Sequence, residues 1–131
     1  MADDIIWGVE LSCFTLKLQA CLQHAGRPYR RLPDQGGYIE NTRTLLSLEL
    51  AKRRKLVSRY PSLNKNVDEY PAVPFLSHDG KHFQYDSSAI AQWLDTRESH
   101  AHSTLYPEKP VLRFIAQLID EAFDECKRCL E

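Results

Sequence analysis

The sequence predicts an α/β fold: a mixed four-stranded sheet flanked by helices, with one extra helix at the C-terminal end. Three observations carry this reading. Strand-like "DIIWGVE", helix-like "SCFTLKLQACLQHAG" and strand-like "RPYRRLP" follow one another over residues 4–33, about the thirty residues of a βαβ unit. Further on, "PFLSHDGKHFQY" sets Asp79-Gly80 between apolar runs, one of the stronger hairpin signals. Two later stretches, "DSSAIAQWLDTR" and "VLRFIAQLIDEAFDECKRCLE", space their apolar residues at helical intervals. A parallel pair from the βαβ unit and an antiparallel pair from the hairpin make the sheet mixed.

Each element has its own local reason. In the first helix Phe14, Leu18, Cys21, Leu22 and Ala25 share a face, and Gly26 follows as a terminator. Ser12 stands where an N-cap stands, placed to accept a hydrogen bond from a free N–H of the first turn. "DQGGYIEN" reads as a loop, and "TRTLLSLELAKRRKLVSRY" as a helix with Leu46, Leu50 and Val57 on one side. "PSLNKNVDEYP" is a second loop, rich in turn residues. Pro74, between Val73 and Phe75, cannot donate to a ladder, which confines it to an edge, a bulge or a strand's first residue. The next helix begins at Asp86 or Ser87 and sets Ile90, Trp93 and Leu94 on one face. After the polar connector "ESHAHSTLYPEKP", the last helix opposes Leu112, Ile115, Ile119, Phe123, Cys126 and Leu130 to Asp120, Glu121, Asp124 and Glu125. That stripe is expected to lie partly on its own domain and partly, helix on helix, against a second copy in a C₂ contact.

Composition narrows the functional classes. The 131 residues suffice for one domain with a sizeable core, and 43% apolar and 27% charged residues fit a globular chain. A net charge of −1 gives no global field toward nucleic acid or an anionic membrane, so neither is an expected partner. No apolar run reaches membrane-spanning length. The acidic start "MADDIIWGVE" is not a secretory signal, and Cys13, Cys21, Cys126 and Cys129 are expected as reduced thiols in the cytoplasm.

Three pieces, in order, resemble the N-terminal, thioredoxin-like domain of the cytosolic glutathione S-transferases. "SCFTLKLQACL" is similar to that family's first-helix pattern, "AVPFL" to the segment bearing its cis-proline, and "YDSSAIAQWL" to its acidic-or-Gln, Ser, Ala-Ile run. The resemblance implies a glutathione-binding domain over 1–99 and, over 107–131, the first helix of a truncated or missing helical C-terminal domain. It implies glutathione as co-substrate, a small electrophile as second substrate, and a homodimer. It also makes the Val73–Pro74 peptide cis, with the Val73 N–H and C=O facing the cysteinyl backbone of glutathione. Asp86 and Ser87, at a helix N-terminus where free N–H groups gather, then hold the γ-glutamyl ammonium and carboxylate. Ser12 takes the place of the thiol-activating residue. Cys13 stands as the alternative, through a glutaredoxin-like mixed disulfide, although "SCFT" replaces Cys-Pro-x-Cys.

The chain departs from that pattern in two places. Ala72 stands where many members carry a Lys or Gln for the glycyl carboxylate, and the segment 34–70 is long. Both favour a second reading, a non-catalytic interaction module of the same fold. "CKRC" at Cys126–Cys129 has redox or zinc spacing without a second pair, so no metal is expected, even with His100 and His102 nearby. "KRRK" at 52–55 reads as a solvated helix face, and His24, His78 and His82 as surface residues.

Overall fold

Strands β1 (Asp4–Trp7), β2 (Tyr29–Leu32), β3 (Val57–Ser58), β4 (Phe75–Ser77) and β5 (Phe83–Tyr85) form one mixed sheet in the order β2-β1-β4-β5-β3. The computed structural model describes residues 4–58, 73–98 and 105–128. β1 runs parallel to β2 and antiparallel to β4, which in turn pairs antiparallel with β5. β3 adds to β5 in parallel. Helices α1 (Cys13–His24), α2 (Tyr38–Arg53), α3 (Ser87–Glu98) and α4 (Pro110–Arg128) complete the chain.

Strand alternation divides the core in two, because successive side chains leave a strand on opposite faces. Ile6 and Leu76 meet Leu18 and Leu22 of α1 and Ile90 and Leu94 of α3, all buried. On the other face Phe75 and Phe83 meet Leu48 and Ala51 of α2, with Trp7, Val57 and Tyr85 at the margin. Each such fully buried aliphatic or aromatic side chain contributes roughly 1.5–3 kcal/mol. The hairpin turns at Gly80, whose φ of +71° suits glycine. There the Asp79 carboxylate accepts the N–H groups of Lys81 and His82, both at 2.8 Å.

The expected architecture holds, with local corrections. The sheet has five strands rather than four, because Val57–Ser58 is a strand and not the end of a helix. α2 starts at Tyr38, inside the predicted loop, and stops after Arg53. It stops because Lys55 adopts φ +56° and Leu56 N–H reaches back to the Ala51 carbonyl at 2.9 Å. That is the left-handed helix stop usually made by glycine, and Gly26 makes the same stop for α1 at φ +66°. The buried face of α2 is Thr44, Leu48 and Ala51; Leu46 and Leu50, expected inside, are exposed.

α4 is turned the other way from expectation. Leu112, Ile115, Ile119 and Phe123 are 44–63% exposed, while Asp120 and Asp124 face inward to the Lys17 ammonium at 2.6 and 2.9 Å. Arg113 does the same, reaching the buried Asp95 carboxylate at 2.8 Å. The physical reason is the mostly buried Lys17 and Asp95, which need opposite charges once they leave water. Leu130 lies outside the described residues, as do Ala72, His100, His102, Cys129 and the Cys126 side chain.

Candidate functional site

The sheet register gathers the predicted residues at one end. Trp7, Phe75 and Tyr85 form one row across β1, β4 and β5. One step further toward this edge, forward along the chain from Trp7 and Tyr85 and backward from Phe75, lie Gly8, Asp86 and Pro74, so the loop into α1, the start of α3 and the start of β4 share an edge. The Gly8 N–H bonds the Leu32 carbonyl at 3.1 Å, which brings the end of β2 into the same row. Both the Val73–Pro74 and Leu32–Pro33 peptides here are cis. Pro74 is buried, and Val73 is 42% exposed.

The close fit at this edge depends on Gly8. A Cβ at that position would fall 2.6 Å from Thr15 Oγ1, 3.1 Å from Thr15 Cγ2 and 3.4 Å from the Pro74 Cβ. Glycine therefore lets the first turn of α1 seat directly against the end of β1 and the cis-proline. Thr15 is fully buried, and its hydroxyl has no hydrogen-bond partner among the described residues. Sequence reasoning missed this pair. Its only sequence signal is a glycine directly after the first strand.

Ser12 sits at the N-cap position of α1 in an extended conformation, but its side chain makes no capping bond. That overturns the expected hydroxyl cap and leaves the Ser12 oxygen uncommitted to the first turn. The backbone still closes the turn, with Leu16 N–H on the Ser12 carbonyl at 3.1 Å. Cys13 is the first residue of α1 and half-buried. About two turns further along lies Cys21, whose thiol burial pushes above its ordinary pKa despite the nearby Lys17 ammonium, so it is a poor source of thiolate.

At α3 the acidic residue does cap. Asp86 Oδ1 accepts Ser88 N–H at 3.0 Å and Ala89 N–H at 3.2 Å, from a backbone φ of +71°. Ser87 opens the helix and is 3% exposed, so its hydroxyl presents little surface. Ser88 turns toward α4, accepting from Lys17 at 2.7 Å and lying 2.9 Å from the carboxylates of Asp120 and Asp124.

The opposite end of the sheet holds a second polar cluster. Buried Asp4 accepts from Arg27 Nε at 2.7 Å, Arg27 Nη2 at 3.2 Å and His78 Nδ1 at 2.5 Å. His78 stacks on Trp93 with ring centres 4.5 Å apart. It was expected at the surface and is instead half-buried, held by a carboxylate that only the folded chain brings near. His82 is exposed and paired with Asp79. Among the described residues no cluster of His, Cys, Asp or Glu could hold a metal ion, and no helix is long and apolar enough to cross a membrane.

No protein-family model and no curated protein matches the chain. Solved structures do. A Tau class glutathione S-transferase from mango, Mangifera indica, superposes with a TM-score of 0.63 at 19% identity, over 94% of this chain and 46% of its own. The glutathione transferase GSTFuA3 from Phanerochaete chrysosporium superposes with a TM-score of 0.53 at 18% identity, over 96% of this chain and 47% of its own. The chain thus spans about half the length of these structures. Its fold is that of a glutathione-transferase-like thioredoxin domain.

Proposed function

We propose that this chain binds glutathione at the Gly8–Pro74–Asp86 edge and activates its thiol for transfer to a small electrophile in the cytoplasm, as a homodimer. The observation that carries this reading is the Ser12 hydroxyl, which makes no capping bond at the start of α1, the helix whose first turn seats against Pro74 beside the half-exposed Val73. A helix N-terminus stabilises a thiolate, and a hydroxyl donor adds to it. Val73 supplies backbone groups for the cysteinyl unit of glutathione, Pro74 fixes their direction, and the α3 terminus at Asp86 and Ser87 receives the γ-glutamyl end. Residues 1–99 then form the glutathione-binding domain, and α4 is the first helix of a second, helical domain.

Calorimetric titration with glutathione tests binding, and conjugation assays test chemistry. Wild-type protein is expected to bind, with Ser12→Ala binding comparably but conjugating about 10²–10³-fold more slowly, the usual effect of deleting one hydrogen-bond donor to developing charge. Cys13→Ser is expected to leave conjugation intact. Loss of disulfide reduction in Cys13→Ser, with Ser12→Ala unaffected, would instead establish the thiol oxidoreductase. Absence of glutathione binding would leave the interaction module, a reading favoured by the near-complete burial of Ser87.

A further inference from the structure

The outward side of α2 carries apolar and cationic residues that the fold itself does not use. Thr44, Leu48 and Ala51 turn inward, while Tyr38, Ile39, Leu46 and Leu50 are 47–87% exposed. Together with Arg43 they border an open groove of about 440 Å³, and every described residue lining it belongs to α2. Over residues 38–55 the chain carries five cations against two carboxylates, although its net charge is −1. Both carboxylates are already taken, Glu40 by Arg30 at 2.6 Å and Glu49 by Lys52 at 3.0 Å. Arg43, Arg53 and Arg54 are exposed and make no ion pair among the described residues. This surface lies across the sheet from α4, which docks on α1 through Lys17 and on α3 through Ser88 and Asp95.

We infer that the outward face of α2 is a docking site for an acidic amphipathic helix of a partner protein. Ile39, Arg43, Leu46 and Leu50 fall at i, i+4, i+7 and i+11, the spacing at which one helix lays its anchors along another. Apolar side chains of the partner fill the groove. Its Asp or Glu side chains meet Arg43 within the stripe and Arg53 and Arg54 beyond Leu50. Charge complementarity selects this occupant, since a second copy of the same face would oppose like charges. A small molecule would stay largely exposed on a single helix, whereas a ligand pocket buries most of its occupant. A bilayer surface would answer the cations, but interfacial helices carry Lys and Arg on the side away from their apolar face. Here Arg43 lies within the apolar stripe, with Thr42 and Ser47 beside it. Glutathione and the proposed chemistry play no part in this contact.

Two synthetic helical peptides, titrated into the full chain by fluorescence anisotropy at low and high salt, provide the test. Both carry Leu at i, i+4, i+7 and i+11, one flanked by Glu and the other by Lys. The Glu peptide is expected to bind at least about 10-fold more tightly than the Lys peptide, with the difference shrinking at high salt. The double variant Arg43→Glu, Arg53→Glu is expected to reverse that preference, and Leu46→Asp to abolish binding of both. All three side chains are exposed, and circular dichroism is expected to show the variants folded. Phosphatidylserine vesicles are expected to leave the protein in solution, and Leu46→Asp to leave the sedimentation of the protein alone unchanged. Equal affinity for the two peptides, binding of neither, or binding that survives Leu46→Asp would each overturn the proposal. Vesicle binding lost in the double variant would assign the face to a membrane instead. Self-association lost in Leu46→Asp would assign it to a second copy.

Discussion

The Lys17 ammonium on α1 lies 2.6 Å from the Asp120 carboxylate on α4, and this pair decides which side of α4 meets the rest of the chain. An amphipathic helix beside a domain ordinarily buries its apolar stripe. Here the mostly buried cation requires carboxylates, Asp120 and Asp124 supply them, and the apolar stripe is left outside.

Removing that cation is expected to release α4. Burial alone would push the Lys17 pKa down, but hydrogen bonds and charge from Asp120 and Asp124 outweigh it and the net shift is upward. A raised pKa contributes stability that is fully present below the unfolded-state value of about 10.4. That stability is lost as pH rises through the higher folded-state value. Lys17→Met leaves two carboxylates facing each other with only the Ser88 hydroxyl and no cation, and is expected to lower stability by about 1–3 kcal/mol in urea titrations. Asp120→Asn in the same background is expected to recover part of the loss, and hydrogen exchange is expected to place the loosening in α4.

The two helix starts at the candidate site respond differently to alanine. Asp86 caps α3 through two N–H groups, so Asp86→Ala is expected to cost about 1 kcal/mol, within the usual range for a lost cap. Ser12 makes no side-chain capping bond, so Ser12→Ala is expected to change stability by less than about 0.5 kcal/mol. Thermal or urea unfolding of both variants checks this. A large loss for Ser12→Ala would mean that its hydroxyl serves the helix after all.

How much was legible depended on whether the signal was local. Asp79-Gly80 announced the hairpin and Gly26 the end of α1, because glycine is the usual residue at positive φ. Lys55 ends α2 in the same left-handed conformation but has no such signature, so the sequence pattern reads as helix through Tyr60 and hides β3. On α2, Leu46 and Leu50 looked like the core face, yet Leu48 packs on Phe75 and Phe83 and turns them outward. At the candidate site, Ser12, Val73-Pro74 and Asp86-Ser87 stood out because each lies in a short recognisable run. Gly8 against Thr15, Lys17 with Asp124, and His78 with Asp4 are joined only by the fold. No window of sequence contains both members of the last two pairs.

The Asp4 cluster predicts an acid limb in the stability profile. Burial raises the Asp4 pKa, but hydrogen bonds from His78 and Arg27, with their charge, outweigh it and the net shift is downward. A depressed carboxyl pKa contributes stability present above the unfolded-state value of about 3.9. It is lost as pH falls through the lower folded-state value. Asp4→Asn is expected to destabilise the protein at neutral pH and to flatten the dependence below about pH 4. Urea midpoints measured from neutral to strongly acidic pH, wild type beside variant, provide the check. Parallel curves would show that the carboxylate contributes nothing pH-dependent.

The contact between Gly8 and Thr15 offers the most direct test of the site's construction. A methyl group at Gly8 would sit 2.6 Å from Thr15 Oγ1, far inside van der Waals contact, and Thr15 is fully buried with nowhere to turn. Gly8→Ala is therefore expected to push the first turn of α1 away from β1 and to cost about 1–3 kcal/mol, the usual range for overpacking. Thr15→Ala removes both of the nearest colliding atoms, and it breaks no hydrogen bond among the described residues because Oγ1 has no partner there. The double variant is expected to be more stable than the sum of the single effects allows, with a coupling of at least about 1 kcal/mol. If Ser12 acts from the end of this turn, glutathione conjugation is expected to fall in Gly8→Ala and to return in the double variant along with the packing. Additive single effects on stability would mean that Gly8 and Thr15 do not meet. Coupled stability without recovery of conjugation would separate the packing of α1 from the chemistry proposed for its first residues.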